Sequence, residues 1–458
     1  MSRRPQPPLP QTELHENLIT TLFSTINALF GGFEQVFEDV CDPRQKGKIT
    51  YSVGQICWTA VLLFLERLAA RSQVAQLFSL GDLAQENIGQ LLDLKTLPHG
   101  DTIDYLFRKL GHVQVQKAVS QAAIHLMLEH QMPNAQLSNG DWRIVVDGVE
   151  FFSSNKPLFP GCNQRKLRDG TVQYFAKALE AKLVCETGEV YSICTEFIEE
   201  QTPGQTKQDC EQAAFYRLAA NLQTLLPPQT PLCLIMDALY AVFPVFDLCQ
   251  KKGWRFLITL KDNDLKTVVR DFEAHKKAAN RLTNDDPTDK GYRRLRQVDW
   301  QEGIDYQNIK LNVVRLMETT AGKTTKFQYV TNLPLNEFTA LDAATQGRNR
   351  WKIENQGFNV QKNQGFDLDH AYGKDRKAYK IYYLLLQLAH TLTQLMELSS
   401  HLNPAFRQRI KTQKNLFIWL TNAVRNYKMT PAKIKKWRRL KGSFSFPQLP
   451  KLLANNSS

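Results

Sequence analysis

Two apolar runs in this chain each end in an aspartate: "RIVVD" at Asp147 and "LCLIMD" at Asp237. A carboxylate just past a buried strand emerges at the strand's C-terminal edge, where open α/β sheets place their ligands. Either alone is more often a loop cap than a catalyst. If the two strands lie side by side, however, the acids converge, and like charges that close need a cation to stay ionised. Hard divalent cations take carboxylate oxygens and leave positions for water and phosphate oxygens. Two such ions about 4 Å apart activate an attacking oxygen and stabilise a leaving one. A third acid on a helix packed at the same edge completes the set. Glu354 in "NRWKIENQGFNVQKNQGF" is the candidate, between Arg350 and Lys362. At about 100° per residue, Arg350 lies roughly 40° to one side of it and Lys362 roughly 80° to the other. The bland alternative is a solvated face carrying weak ion pairs; the two distant aspartates favour the site.

The elements that must carry these acids follow from pattern. Residues 13 to 135 read as all-helical, with apolar positions from Leu14 to Phe37 at helical spacing and a helix starting at Asp101 as N-cap. From Asn139-Gly140 the pattern changes. "WRIVVDGVEFF" is a strand, "VQYFAKALEAKLV" and "VYSICTEFIEE" form a hairpin turned at Gly188, and a helix runs from about Lys207 to Leu225. "PLCLIMDAL" is a further strand, "YAVFPVFDLCQKKG" a helix with Pro244 inside it, and "RFLITLKDN" another strand. This order predicts an α/β layer on one mixed sheet. Residues 263 to 335 read as a β-rich insertion with a loop at "NDDPTDKG", 336 to 397 as the final part of the core with the Glu354 helix, and 398 to 458 as a basic tail.

That tail carries 13 Lys or Arg and no Asp or Glu, which equals the whole formal excess of +13. Its densest part holds Lys433, Lys435, Lys436, Arg438, Arg439 and Lys441 around Trp437. Charge so one-sided suggests a polyanion, with nucleic acid favoured over membrane because no apolar anchor accompanies it. The eight cysteines include no CxxC pair and read as reduced thiols. "MSRRPQPPLPQTE" lacks a signal peptide's apolar core, so a soluble cytoplasmic protein is expected. Among the remaining polar groups, Glu150 reads as a surface residue, Lys261 as solvated in preference to reaching phosphate, and Asp367, Asp369 and His370 fit a place near the site and a loop after the Glu354 helix equally well. Trp351 and Phe358 read as core packing rather than base-stacking groups.

Asp147 on the first strand, Asp237 after the fourth and Glu354 on a late helix together resemble the ribonuclease H-like catalytic core of DDE transposases. The pattern is most similar to bacterial insertion-sequence enzymes with a β-rich insertion before the third acid, and "VTNL" at 330 to 333 fits that group. Their Tyr, Arg, Glu, Lys signature places three residues between Arg and Glu and six between Glu and Lys. Arg350 and Glu354 match; Gly347 stands at the Tyr position, and Lys362 comes one residue late with Gln361 in its place. The resemblance implies a ribonuclease H-like mixed sheet behind an all-helical N-terminal domain, residues 1–138. It implies DNA cleavage at element ends and transfer of the 3′-hydroxyl into target DNA, with two Mg²⁺ ions, replaceable by Mn²⁺, on Asp147, Asp237 and Glu354. Arg350 and Lys362 would hold DNA phosphates, and the protein would act as a dimer or larger on paired inverted repeats, near the nucleoid. A nuclease on the same fold and a catalytically inactive DNA-binding derivative are the alternatives.

Overall fold

The computed structural model describes residues 10–66, 83–129, 132–199, 210–261, 263–283 and 294–447. The Pro-rich start, the last six residues of the apolar stretch beginning at Ser52, the start of the helix expected from Lys207 and the "NDDPTDKG" loop lie outside them. Leu14, Leu18, Leu22, Ile26 and Leu29 are all buried on helix α1 (Gln11–Phe30), as their period predicts. The helix stops earlier than the apolar pattern. Gly31 takes φ +81° and its N–H closes on the Asn27 carbonyl at 3.0 Å, a left-handed cap that costs glycine nothing. Phe33 and Phe37 are buried from the turns that follow.

Among the described residues, the α-helices α2 (Val53–Leu65), α3 (Leu83–Leu92), α4 (Gly100–Phe107) and α5 (His112–Leu128) also precede the sheet. A reciprocal Ser52–Gln55 capping box starts α2. The cap of α4 is His99, whose Nδ1 accepts the Asp101 N–H at 3.2 Å; Asp101 sits inside the first turn, not at the cap.

The strands are β1 (Trp142–Ser154), β2 (Asn163–Lys166), β3 (Val172–Val184), β4 (Val190–Ile198), β5 (Leu232–Met236), β6 (Arg255–Thr259), β7 (Lys277–Thr283), β8 (Arg294–Tyr306), β9 (Ile309–Thr320) and β10 (Lys323–Thr331). They form one ten-stranded mixed sheet in the order β2-β3-β1-β5-β6-β10-β9-β8-β7, with β4 also on β3. β1, β5 and β6 are parallel neighbours, and β3 runs antiparallel beside β1. Helix α6 (Glu211–Leu225) links β4 to β5, and α7 (Phe243–Lys251) links β5 to β6. Pro244 lies in the first turn of α7 rather than inside it, where its missing N–H costs nothing. Gly188 takes φ +112° in the β3–β4 turn, as that hairpin requires.

The material between Asp262 and Leu335 is not strands alone, since α8 (Lys266–His275) precedes β7. Nor does it stand apart from the sheet. β10 pairs with β6, so the strand-rich segment extends the same sheet through backbone hydrogen bonds. Helices α9 (Ala340–Arg348) and α10 (Asn359–Asn363) flank Glu354, and the long apolar α11 (Ala378–Leu398) follows. α11 packs against α2, α5 and β4, so it ties the N-terminal helices to the sheet.

The basic C-terminal segment is folded through α12 (Pro404–Ile410), α13 (Gln413–Asn426) and α14 (Pro431–Trp437). α13 lies on α1 and α3, and Trp437 is buried against Phe23 with ring centroids 5.5 Å apart. Among the described residues no helix is long and apolar enough to cross a membrane.

Asn87 on α3 is fully buried and gives its amide to the Val424 and Tyr427 carbonyls at 2.7 and 2.8 Å, while accepting the Met429 N–H at 2.9 Å. Asn87→Ala should therefore cost about 2–4 kcal/mol, read by denaturant unfolding, because three buried backbone groups lose their partners. A loss under about 0.5 kcal/mol would mean that the segment after α13 is not anchored to α3.

Candidate active site

β1 and β5 are in register at Val145 and Ile235, and Asp147 and Asp237 stand two residues further along each. Parallel pairing thus sets the two aspartates side by side at one sheet edge, as their positions after apolar runs predicted. Asp237 begins the turn after β5, its Oδ1 accepting the Leu239 N–H at 2.9 Å. Asp147 Oδ1 accepts the Gly148 N–H at 3.0 Å, and its Oδ2 accepts Arg350 Nη1 at 2.6 Å.

Burial pushes the Asp147 carboxyl up to about 6; the Arg350 guanidinium opposes the rise and the nearby Asp237 charge adds to it. The Glu211 carboxylate adds in the same direction. Glu211, first residue of α6, lies close over Gly148: a Cβ there would meet Glu211 Oε1 at 2.7 Å. Lys177 pairs with it at 2.8 Å. Nothing in the strand pattern marked Glu211, because a helix-start acid is ordinarily read as a response to the helix dipole.

Glu354 does not sit on a regular α-helix. Residues Ile353–Phe358 form a π-helix, closed by the Asn359 N–H on the Glu354 carbonyl. A π turn takes about 4.4 residues against 3.6, so each step there turns about 80° rather than 100°. The separation of Lys362 from Glu354 then falls from roughly 80° to roughly 10°. The late lysine is what such a one-residue insertion requires. Lys362 is partly exposed, 3.7 Å from Asp369. Gln361, at the spacing expected for that lysine, is turned inward with no exposed surface.

Gln361 joins a buried polar network. Its amide donates to Gln387 Oε1 at 2.8 Å and lies 3.0 Å from His390 Nδ1, both on α11. Lys182 Nζ on β3 donates to the same Gln387 oxygen at 2.5 Å and lies 3.4 Å from Glu180 Oε2. Ser192 and Thr195 on β4 donate to the Glu180 carboxylate at 2.8 and 2.5 Å. Lys182 and Glu180 have no exposed side-chain surface. The helix carrying Glu354 is thereby fastened to the sheet and to α11.

Gly347 has an equally local cause. A Cβ there would fall 2.5 Å from the ring of Tyr329 on β10, so a side chain is excluded and the tyrosine ring reaches in from the sheet instead. Trp351, expected in the core, is 56% exposed, with the Arg350 guanidinium 5.3 Å from its ring centroid. Phe358 is buried, as expected. Glu150 pairs with Arg165 at 2.7 Å.

The six tail cations do not share one setting. Lys433 pairs with Glu16 at 3.2 Å and contacts the Tyr427 hydroxyl, and Arg438 pairs with Glu34 at 2.6 Å. Acids absent from the segment itself come from α1 and the turn after it. Lys435, Lys436, Arg439 and Lys441 are exposed.

The donors at this edge are all oxygen, which suits a hard divalent cation, and two adjacent aspartates fit one such ion. Among the described residues, however, no three Asp, Glu, His or Cys side chains are gathered as a metal group. Asp147 is instead paired with Arg350.

Two measurements test this geometry. Deleting Gln356, an exposed residue within the π turn, should convert it to an α turn and restore the six-residue Glu–Lys spacing. Thermal unfolding should shift by no more than about 1 kcal/mol equivalent, because the buried faces on either side keep their register; a collapse like that of a deletion inside α11 would refute the insertion account. In chelator, where Asp147 holds protons up to about 6 when folded but only to about 4 when unfolded, stability falls as pH rises across that interval and the loss is complete above it. Asp147→Asn should remove that part of the slope and stabilise the protein at pH 7 by about 1–3 kcal/mol. An unchanged difference between pH 4.5 and 7 would show that Asp147 is not strained.

Residues 209–392 match the transposase DDE domain family, a span that takes in Asp237 and Glu354 and begins after Asp147. No curated protein matches the chain. With the α/β mixed sheet that carries the paired aspartates, this match supports a DDE-type insertion-sequence transposase.

Proposed function

We propose that the chain cleaves DNA at the ends of an insertion element and joins the freed 3′-hydroxyl to target DNA, with Asp147, Asp237 and Glu354 as its catalytic acids. The family acts on DNA by phosphoryl transfer and uses divalent metal ions. The observation that carries the assignment is the parallel β1–β5 pairing, which sets two aspartates side by side beside an arginine from the Glu354 segment. The strand sequence β4-β3-β1-β5-β6, with β3 antiparallel, supports a ribonuclease H-like core.

Asp147, Asp237 and Glu354 would hold Mg²⁺, which supplies Lewis acidity to phosphate and attacking oxygens when bound. The chain's own part is position and charge. Arg350 neutralises Asp147 in this structure, and a guanidinium so placed can turn to a phosphate once the acid has another partner. Trp351 offers an exposed aromatic face beside it, suited to stacking on a base. Lys362 stands on the Glu354 side of its helix, at the spacing for a second phosphate contact. The exposed Lys435, Lys436, Arg439 and Lys441 form a sequence-independent grip, with Lys433 and Arg438 shared with Glu16 and Glu34. Two copies acting on paired ends complete the reading.

Asp147→Asn, Asp237→Asn and Glu354→Gln should each reduce nicking of a labelled element end by at least about a thousandfold while duplex affinity stays within about threefold, because charge is lost at constant volume. Nicking should run in Mg²⁺ or Mn²⁺ and fail in Ca²⁺, whose longer, looser coordination misplaces the in-line geometry. Near-normal nicking by any one variant removes that residue from the site. Cleavage without strand-transfer product would favour a nuclease, and wild-type activity in EDTA would overturn the metal requirement.

A further inference from the structure

β1 does not end at Asp147. It runs seven residues further, to Ser154, and there joins β3 and β2 in a three-stranded ribbon at the sheet's edge. The β2–β3 turn is closed by two hydrogen bonds between Leu167 and its neighbours, Leu167 N to the Thr171 carbonyl at 2.8 Å and Gly170 N to the Leu167 carbonyl at 3.0 Å. Gly170 takes φ +86°, and Asp169 Oδ1 accepts from both Thr171 N and Thr171 Oγ1. The turn is therefore built, and its one carboxylate is spent on its own backbone.

The charge of this ribbon is lopsided. Residues 151–179 carry Lys156, Arg165, Lys166, Arg168 and Lys177 against the single acid Asp169. Two of the five have partners: Lys177 on Glu211, and Arg165 on Glu150, with the Arg165 guanidinium 4.8 Å from the Phe175 ring centroid. Lys156, Lys166 and Arg168 are exposed and form no ion pair among the described residues. Edge strands often carry lysine simply to deter pairing with another chain. That accounts for Lys166 on β2. It does not account for Lys156 and Arg168, which lie in the loops at either side of β2.

The base of the ribbon is rigid. Phe159 stacks on Tyr379 of α11 at 4.7 Å with ring planes 7° apart, and Phe151 packs on Tyr383 at 4.6 Å. A mount of that kind fixes the loops relative to β1 and so relative to Asp147. Glu180 is the β3 residue opposite Asp147, and Val172 is eight residues along. At about 3.3 Å per residue the ribbon carries the turn roughly 25 Å from the acid.

We infer that this ribbon is a second DNA-backbone contact, which grips the duplex through Lys156, Lys166 and Arg168 while the acids face the scissile phosphate. The inference rests on the transposase reading. At 3.4 Å of helix axis per base pair, the contact falls about five to nine base pairs from the reacting phosphate. It positions the duplex and does not read sequence, since its cations suit phosphate oxygens.

The test uses the full chain, a random-sequence duplex and a duplex of the DNA flanking the reading frame. Lys156→Gln, Lys166→Gln and Arg168→Gln together should lower the slope of log K against log salt by about two to three, since each neutralised phosphate contributes about 0.9. Thermal unfolding should be unchanged because the three side chains are exposed. A photoreactive residue at Leu167, exposed at the turn, should cross-link to the flanking duplex five to nine base pairs from the wild-type nick. If the wild type binds and nicks DNA but the triple variant keeps its slope and Leu167 cross-links nowhere, the ribbon is not a contact. If the wild type binds no DNA, the transposase reading itself fails.

Discussion

The arrangement around Glu354 depends on one buried charge. Lys182 is on a strand with no exposed surface, and burial lowers its pKa while the adjacent Glu180 opposes that fall. Replacing such a pair by apolar residues often stabilises a protein, so its presence is weak evidence for stability. What it does provide is a demand for particular partners. Lys182 needs an acceptor and takes Gln387 Oε1; that oxygen also receives Gln361, so α11 and the helix after Glu354 are fixed to β3 through one atom. An apolar interface would tolerate sliding of α10 along α11. The polar interface does not, because any displaced register pulls Gln361 off Gln387 and His390 and leaves a buried amide unpaired.

This explains why some of the site was legible in the sequence and some was not. Asp147 and Asp237 were readable because a strand's period is short and a carboxylate after a buried run has few structural uses. Glu354 could be proposed only in their company, and its helical geometry was misjudged because a constant 100° per residue was carried through a π turn. That turn nevertheless left a trace in the sequence: a lysine one position late, with a glutamine in its usual place. Gly347 is similar. Its lack of a side chain depends on Tyr329, a residue eighteen positions earlier on another element, and no local pattern contains that information.

Strands β1, β3, β4, β5 and β6 were recoverable where apolar runs alternate with helices, and β8, β9 and β10 as strand-rich material, but the short polar β2 and the pairing of β10 with β6 were not. From Lys277 to Thr331 the strands carry many charges because they pair with one another, and their polar composition suggested a separate insertion. Backbone hydrogen bonding is indifferent to that composition. β10 returns beside β6 at Tyr329, Val330 and Thr331, so the segment that looks inserted brings Tyr329 to the helix before Arg350. The ion pairs of the C-terminal segment were hidden for the converse reason. A count of charges within 61 residues cannot see Glu16 and Glu34, which meet its cations only after α1 packs on α13 and α14.

The Asp147–Arg350 ion pair then links electrostatics to the order of events at the site. Two aspartates side by side at a partly buried edge repel, and Arg350 supplies the opposing charge in this structure. On the proposed reading, a divalent cation held by the two aspartates would supply that counter-charge in place of Arg350 and so weaken the hold of Asp147 on the guanidinium. Arg350 is one residue before the exposed Trp351 and four before Glu354 on the same segment. Its release would therefore provide a phosphate-binding cation beside Glu354, the proposed third acid, and phosphate is the ligand that such a planar donor suits best. On the proposed reading, repulsion between the two aspartates would keep the guanidinium on Asp147 until another cation neutralised the acids, and would only then free it for DNA.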